Sequence, residues 1–288
     1  MSNMCVLRVL AVMALLCAGN AVQSLGKSLT DSLFIERLLA EESQKRHGGS
    51  LPLYFASKFL NTPYVAHTLE VNKREQLVVN TRQLDCATLV DNVVALCMCV
   101  KQKKHEYTAF KQNLQTIRYR NGVIDGYCSR LHYFSEWIND NKKKGIVETI
   151  EQPVDVFSSI HTVNVFVMSQ HAHKYETLAI HPELVSEIIR TEQIISGENV
   201  RYIGKDDIKN DSLSRSAIHD GDIIAITTNK KGLDIAHVGF AVWQKDGLHL
   251  LNASLLHKKV VLESMTLKQY LGQHPSHTGI RVMRILCD

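Results

Sequence analysis

The chain has 288 residues, 45% of them hydrophobic and 22% charged, with a net charge of +4. These are ordinary globular values, enough for one large domain or two small ones, and they exclude a low-complexity or repetitive chain. The mild basic excess is not clustered, so it reads as a normally solvated surface and no nucleic-acid partner is expected.

Residues 1–23 read as an export signal. Arg8 supplies a minimal positive start, Val9 to Cys17 is an apolar core too short to span a bilayer, and Gly19-Asn20-Ala21 offers small residues for cleavage. Cys17 opens a second reading in which the thiol carries a lipid anchor, although Leu16 stands before it where a small residue is expected. No later segment is apolar enough to cross a membrane. Residues 24–288 are therefore expected to be an exported single domain, periplasmic or secreted. Without Cys5 and Cys17, five of the seven cysteines remain: Cys86, Cys97, Cys99, Cys128 and Cys287. An odd number leaves at least one thiol unpaired. Cys97 and Cys99, two apart on a helix, point in different directions and cannot bridge each other. The default for those other than Cys86 is buried thiols, with room for one bridge.

Residues 29–60 have helical spacing at Leu33, Ile35, Leu38 and Leu39, broken by Gly48, Gly49, Ser50 and Pro52 before the pattern resumes at Tyr54. Gln83 to Val100, QLDCATLVDNVVALCMCV, predicts a helix capped by Asp85, with Val90, Val93, Val94 and Cys97 on one face. The polar run from Lys101 ends it. Arg118 to Asn141 is rich in aromatic and basic residues, with Leu131, Phe134, Trp137 and Ile138 at helical spacing. Val154 to Met168 alternates weakly and suggests strands, Pro182 to Thr191 a short helix, and Arg201 to Asp220 a polar loop. His171 and His173, with His181 beyond, hint at a metal, but no third ligand can be named, and no metal is expected. Strands are predicted at Ile223 to Thr228, His237 to Trp243, Leu248 to Asn252, Lys259 to Leu262 and Thr278 to Leu286. The whole is an α+β fold, an antiparallel sheet covered on one face by the Gln83–Val100 helix.

Two stretches carry chemistry. Cys86 falls at the first turn of its helix, where free N–H groups and the helix dipole favour the thiolate. The hairpin at Lys245-Asp246-Gly247 sets His237 beside Asn252. A cysteine, a histidine to take its proton and an amide to orient the ring are the parts of a cysteine hydrolase.

The order of these parts resembles the papain-like fold and, within it, the NlpC-type cell-wall hydrolases. LDCATLVDN is similar to that superfamily's nucleophile motif, HVGFAV to its His-Val-Gly strand, and Pro63-Tyr64 to its upstream Pro-Tyr. FLNTPYVAHTLE, LDCATLVDNVVAL, YRNGVIDGYCSRLHYFSEWINDN, GDIIAITTNKKGLDIAHVGFA and LLNAS, in that order, resemble the N-acetylmuramoyl-L-alanine amidase-like branch. Asn252 stands where the superfamily more often has histidine, and Ala87 where it has serine. The resemblance implies a cysteine-dependent amidohydrolase with no cofactor, acting on peptidoglycan or muropeptides at the MurNAc to L-Ala amide. Cys86, His237 and Asn252 would be catalytic. Tyr64, Arg130, His132 and Tyr133 would bind substrate, rings stacking on sugars and the arginine holding a carboxylate. A D-glutamyl-diamino acid endopeptidase and a catalytically silent wall-binding module are the alternatives.

Overall fold

A computed structural model describes residues 30–43 and 49–286. The export signal, the anchor reading at Cys17, and Cys5 and Cys287 lie outside the described residues. Helix α1 (residues 30–43) and helix α2 (Leu51–Lys58) lead to α3 (Cys86–Lys101), which is followed by α4 (Tyr107–Arg118) and α5 (Phe134–Lys143). Ser50 caps α2 by accepting the Leu53 amide, and Pro52 occupies the first turn, where its missing N–H leaves no bond unmade.

Helix α3 is more deeply buried than a single apolar face implies. Beyond the expected face, Leu89, Asp91, Asn92, Ala95, Leu96 and Cys99 are also buried. The reason is that α3 is enclosed: α2, α4 and the sheet all pack against it. A helix that is apolar nearly all round belongs in such a place. Each of Leu89, Val93 and Leu96, all fully buried, contributes roughly 1.5–3 kcal/mol of burial.

The sheet has eight strands: β1 (Val147–Ile150), β2 (Ser159–Thr162), β3 (Asn199–Gly204), β4 (Ile223–Thr228), β5 (Ile235–Trp243), β6 (Leu248–Ser254), β7 (Lys259–Leu262) and β8 (His277–Ile285). Their order is β2-β3-β8-β4-β5-β6-β7, with β1 also on β8, and every pairing is antiparallel. Alternation divides the side chains. Ile223, Ala225, Val238, Phe240, Leu251 and Ala253 join the α3 core, whereas Ile224, Ile226, Ala241, Leu250, Ile280 and Val282 join a second core on the opposite face. That second core is covered by α6 (Ser212–Ala217) and α7 (Leu267–Gly272) through Ala217, Leu267 and Leu271.

The expected strands from Ile223 onward are all present, and β5 starts two residues before His237. Three readings are corrected. Between Val154 and Met168 only Ser159–Thr162 is a strand. The helix expected at Pro182 begins as a single 3-10 turn and continues as Val185–Ile195. The expected loop 201–220 contains most of β3 and all of α6. β3 pairs with sequence-distant β2 and β8, and α6 is too short for periodicity, so neither has a local signal. Cys86, Cys97, Cys99 and Cys128 form no disulfide among the described residues.

Candidate active site

The first turn of α3 is built by its cap. Asp85 accepts the Thr88 amide at 2.8 Å, and the Thr88 hydroxyl accepts the Asp85 amide at 2.9 Å. This reciprocal pair fixes where Cys86 begins the helix. The strand-like approach is fixed as well, because Leu84 donates to Pro63 and accepts from Val65, each at 3.0 Å.

The Cys86 sulfur lies half-buried against β5, where the backbone N–H of Val238 turns toward it, as do those of Ala87 and of Cys86 itself. These favour the thiolate, as the helix start was expected to. They are outweighed: burial, and then the charge of Asp85, push the thiol up to about 12. The resting group is therefore a thiol, because desolvation at the cavity floor exceeds the pull of a few amides. His237 is shifted the other way. Burial lowers its pKa, opposed by the bond to Asn252 and by the charges of Glu263 and Asp85. At neutral pH the resting pair is thiol and neutral imidazole.

His237 and Asn252 meet as the hairpin requires. Phe240 faces Leu251 in the ladder, and continuing that register sets Asn252 across from Gly239 and diagonal to His237. His237 Nε2 lies 2.9 Å from Asn252 Oδ1. Gly239 makes the crossing close: a Cβ there would fall 2.6 Å from the Leu251 carbonyl oxygen and 3.0 Å from the Asn252 Cβ. Asn252 is fully buried, and its Nδ2 donates to Glu263 Oε1 at 3.0 Å.

Cys86 and His237 line one cavity of about 320 Å³, together with Glu70, Arg130, His132, Tyr133 and Trp137. Arg130 is buried, 3.4 Å from Glu70 and 3.6 Å from Glu75, with its guanidinium over the Tyr127 ring. His132 donates from Nε2 to the Tyr127 carbonyl at 2.9 Å; burial, and then the charge of Arg130, hold its pKa down at about 3. The Tyr133 hydroxyl is committed elsewhere, donating to Glu192 at 2.7 Å and accepting the Met168 amide at 3.0 Å, so only its ring is available to the cavity. Tyr64 is not among the lining residues. Burial, followed by the charges of Cys86 and Asp85, raises its phenol.

Several residues of the cavity wall, and Glu263 behind it, were not anticipated. Asp91 is buried within α3, bonded to Arg118 Nε at 2.8 Å and Trp137 Nε1 at 3.0 Å, and it ties three helices into the wall. A lone carboxylate in an apolar helix was a readable signal, because buried charges require partners. Asp234 accepts the Ser135 amide at 2.8 Å. Glu70 and Glu263 sit in irregular segments with no local pattern to mark them. His171 bonds the Val167 carbonyl and His181 bonds Glu183. Among the described residues, no group of three or more His, Cys, Asp or Glu could hold a metal.

The chain is thus an α+β protein in which a helix-borne cysteine and a strand-borne histidine open into one cavity. A family model described as AmiA-like, N-acetylmuramoyl-L-alanine amidase-like, matches residues 54–280, and the chain belongs to that family. Among solved structures it is similar to an N-acetylmuramoyl-L-alanine amidase from Bacteroides uniformis, with 42% identity and a TM-score of 0.77. The match covers 82% of this chain and 97% of that one. A Bacteroides fragilis protein provisionally described as a xylanase is 41% identical, with a TM-score of 0.76 over 81% of this chain and all 100% of its own. A Legionella pneumophila protein at 22% identity and a TM-score of 0.69 shares the fold. No curated protein matches.

Proposed function

We propose that the protein is a cysteine-dependent cell-wall amidohydrolase that cleaves the MurNAc to L-Ala amide of peptidoglycan or muropeptides. The observation that carries this reading is the shared cavity of Cys86 and the Asn252-bonded His237, in a chain of the amidase-like family.

The dyad starts neutral, so attack and proton transfer proceed together: the Cys86 sulfur bonds to the lactyl carbonyl carbon as its proton passes to His237. A base so arranged contributes roughly 10²–10⁴-fold. The oxyanion is met by the amides of Cys86 and Ala87, which turn toward the resting sulfur and which the Asp85 cap leaves alone because it takes Thr88, with Tyr64 as a side-chain donor. Imidazolium then protonates the leaving L-Ala nitrogen, the C–N bond breaks, and water releases the muramoyl acid from the thioester. No cofactor takes part. The rings of His132 and Tyr133 offer faces for sugar, and the Glu70–Arg130 pair presents both signs of charge to the stem peptide. Export by residues 1–23 would deliver the enzyme to its substrate.

A xylanase reading is disfavoured by the cavity's carboxylates. Glycoside hydrolysis uses two carboxyl groups flanking the bond, yet Asp91 is held by Arg118 and Trp137, Asp234 by Ser135, and Glu70 by Arg130. Digesting a defined muropeptide and weighing the products decides the reaction. An intact peptide beginning at L-Ala is expected. A released L-Ala-D-Glu dipeptide would instead indicate the endopeptidase, shortened xylan a glycosidase, and binding without turnover a silent wall-binding module.

A further inference from the structure

Behind Asn252 the hydrogen bonds continue to a group the proposed reaction does not use. Glu263 follows β7 and is 3% exposed. Its Oε1 accepts from Asn252 Nδ2 at 3.0 Å, and its Oε2 lies 3.1 Å from His257 Nε2. Its backbone is held on both sides, the amide donating to the Leu250 carbonyl at 2.9 Å and the carbonyl bonded by His249 Nδ1 at 2.9 Å. His249 is held in turn by Asp246. The backbone is thus fixed, and each carboxylate oxygen has its own partner, Asn252 on one side and His257 on the other.

This geometry removes an ambiguity. An asparagine amide can present either its oxygen or its nitrogen to a histidine, and the two choices demand opposite ring tautomers. A carboxylate only accepts, so the atom turned to Glu263 is Nδ2. Oδ1 must then face His237, and His237 must carry its proton on Nε2. The unprotonated nitrogen left for Cys86 is Nδ1. We propose that Glu263 is a positioning residue of the dyad, locking the Asn252 amide in one orientation and thereby the base-competent tautomer of His237. His257, 45% exposed, closes the chain on the solvent side. The proposal rests on the reading of Cys86 and His237 as nucleophile and base. The remaining titratable groups that act on this line are Asp85 on His237, His237 on His277, and Glu263 on Tyr270.

Two variants separate orientation from charge. Glu263→Leu removes the acceptor, so the amide is free to turn; kcat should fall about 10–100-fold, the scale known for losing the group that orients a metal-bound histidine, with KM little changed. Glu263→Gln keeps a carbonyl for Nδ2 and should retain most of kcat. It deletes the charge that supports protonation of His237, however, so the acid limb of the pH profile should move to lower pH. A merely structural role would move stability and leave that limb in place. Iodoacetamide labelling of Cys86 across pH, read by peptide mass, gives the same limb without any substrate. Failure of muropeptide turnover in the unaltered protein would therefore count against the proposed reaction and leave this test intact. In ¹⁵N-histidine spectra the parent protein should show His237 protonated at Nε2, and Glu263→Leu a mixture. Should Glu263→Leu not fold, the limb in Glu263→Gln decides. An unmoved limb in that variant, or full kcat and an unchanged tautomer in Glu263→Leu, would overturn the assignment.

Discussion

Replacing Gly239 with alanine tests whether sheet packing and the site are one construction. The added Cβ would stand 2.6 Å from the Leu251 carbonyl oxygen, 2.9 Å from Leu250 Cδ1 and 3.0 Å from Asn252 Cβ. Only the leucine methyl can move aside. To bring the carbonyl contact from 2.6 Å to an ordinary ~3.4 Å, β5 and β6 must part by about 0.8 Å. Forced overpacking of this kind costs about 1–3 kcal/mol, and contact with backbone argues for the upper end. At about 2–4 °C per kcal/mol for a domain of this size, Tm should fall by roughly 6–12 °C. The same displacement would stretch the His237–Asn252 bond from 2.9 Å to about 3.7 Å, beyond hydrogen-bonding range. Turnover should then fall through kcat more than through KM. Differential scanning calorimetry and muropeptide kinetics read the two effects. Gly272→Ala is the control, since its Cβ meets nothing within 4 Å and Tm should hold or rise slightly. A Gly239→Ala enzyme with parental Tm and kcat would refute the close-crossing argument.

Other consequences can be measured directly. Asp91→Asn keeps an acceptor for Trp137 but strands the buried Arg118 charge, and should lose about 3–5 kcal/mol in chemical denaturation; a loss below 1 kcal/mol would show the pair is not buried as described. The acid limb of kcat/KM should fall below the ordinary histidine value of 6.5, because burial lowers His237, and activity should persist into alkali, because the thiol is held up near 12. A limb well above 6.5 would contradict the neutral dyad. Asp85→Asn retains the cap while removing a charge that raises Cys86, so alkaline onset of Cys86 alkylation should move to lower pH with Tm nearly unchanged. His132 and His277 have folded pKa values lowered by burial to about 3 and about 4. The unfolded chain takes up protons they refuse, so Tm should be level above pH 6.5 and decline as pH falls from there toward 4. His277→Gln should make that decline shallower.

Much of this was legible in the chain because the signals were local. Asp85 before an apolar run marks a helix start, and an apolar run, Lys245-Asp246-Gly247 and a second run mark a hairpin. Those two signals place Cys86 at the helix start and His237 beside Asn252, and the structure has both placements. What escaped was non-local or outweighed. β3 is a strand because β2 and β8 flank it, and nothing in Asn199–Gly204 encodes those neighbours. Asp91 could have been flagged as a lone charge in an apolar helix, but its partners Arg118 and Trp137 come from two other helices. Glu263 had no signal, since its importance arises only where β6 and the segment after β7 bring it to Asn252. The Cys86 thiol was misjudged because a helix N-terminus is visible in sequence and the depth of a cavity is not.

The central claim is that one sulfur performs the chemistry, and Cys86→Ala examines it most directly. The variant should fold with parental Tm and still bind muropeptide, while release of the L-Ala peptide falls to the uncatalysed background. Peptide release at the parental rate from a protein with no thiol at position 86 would contradict the account.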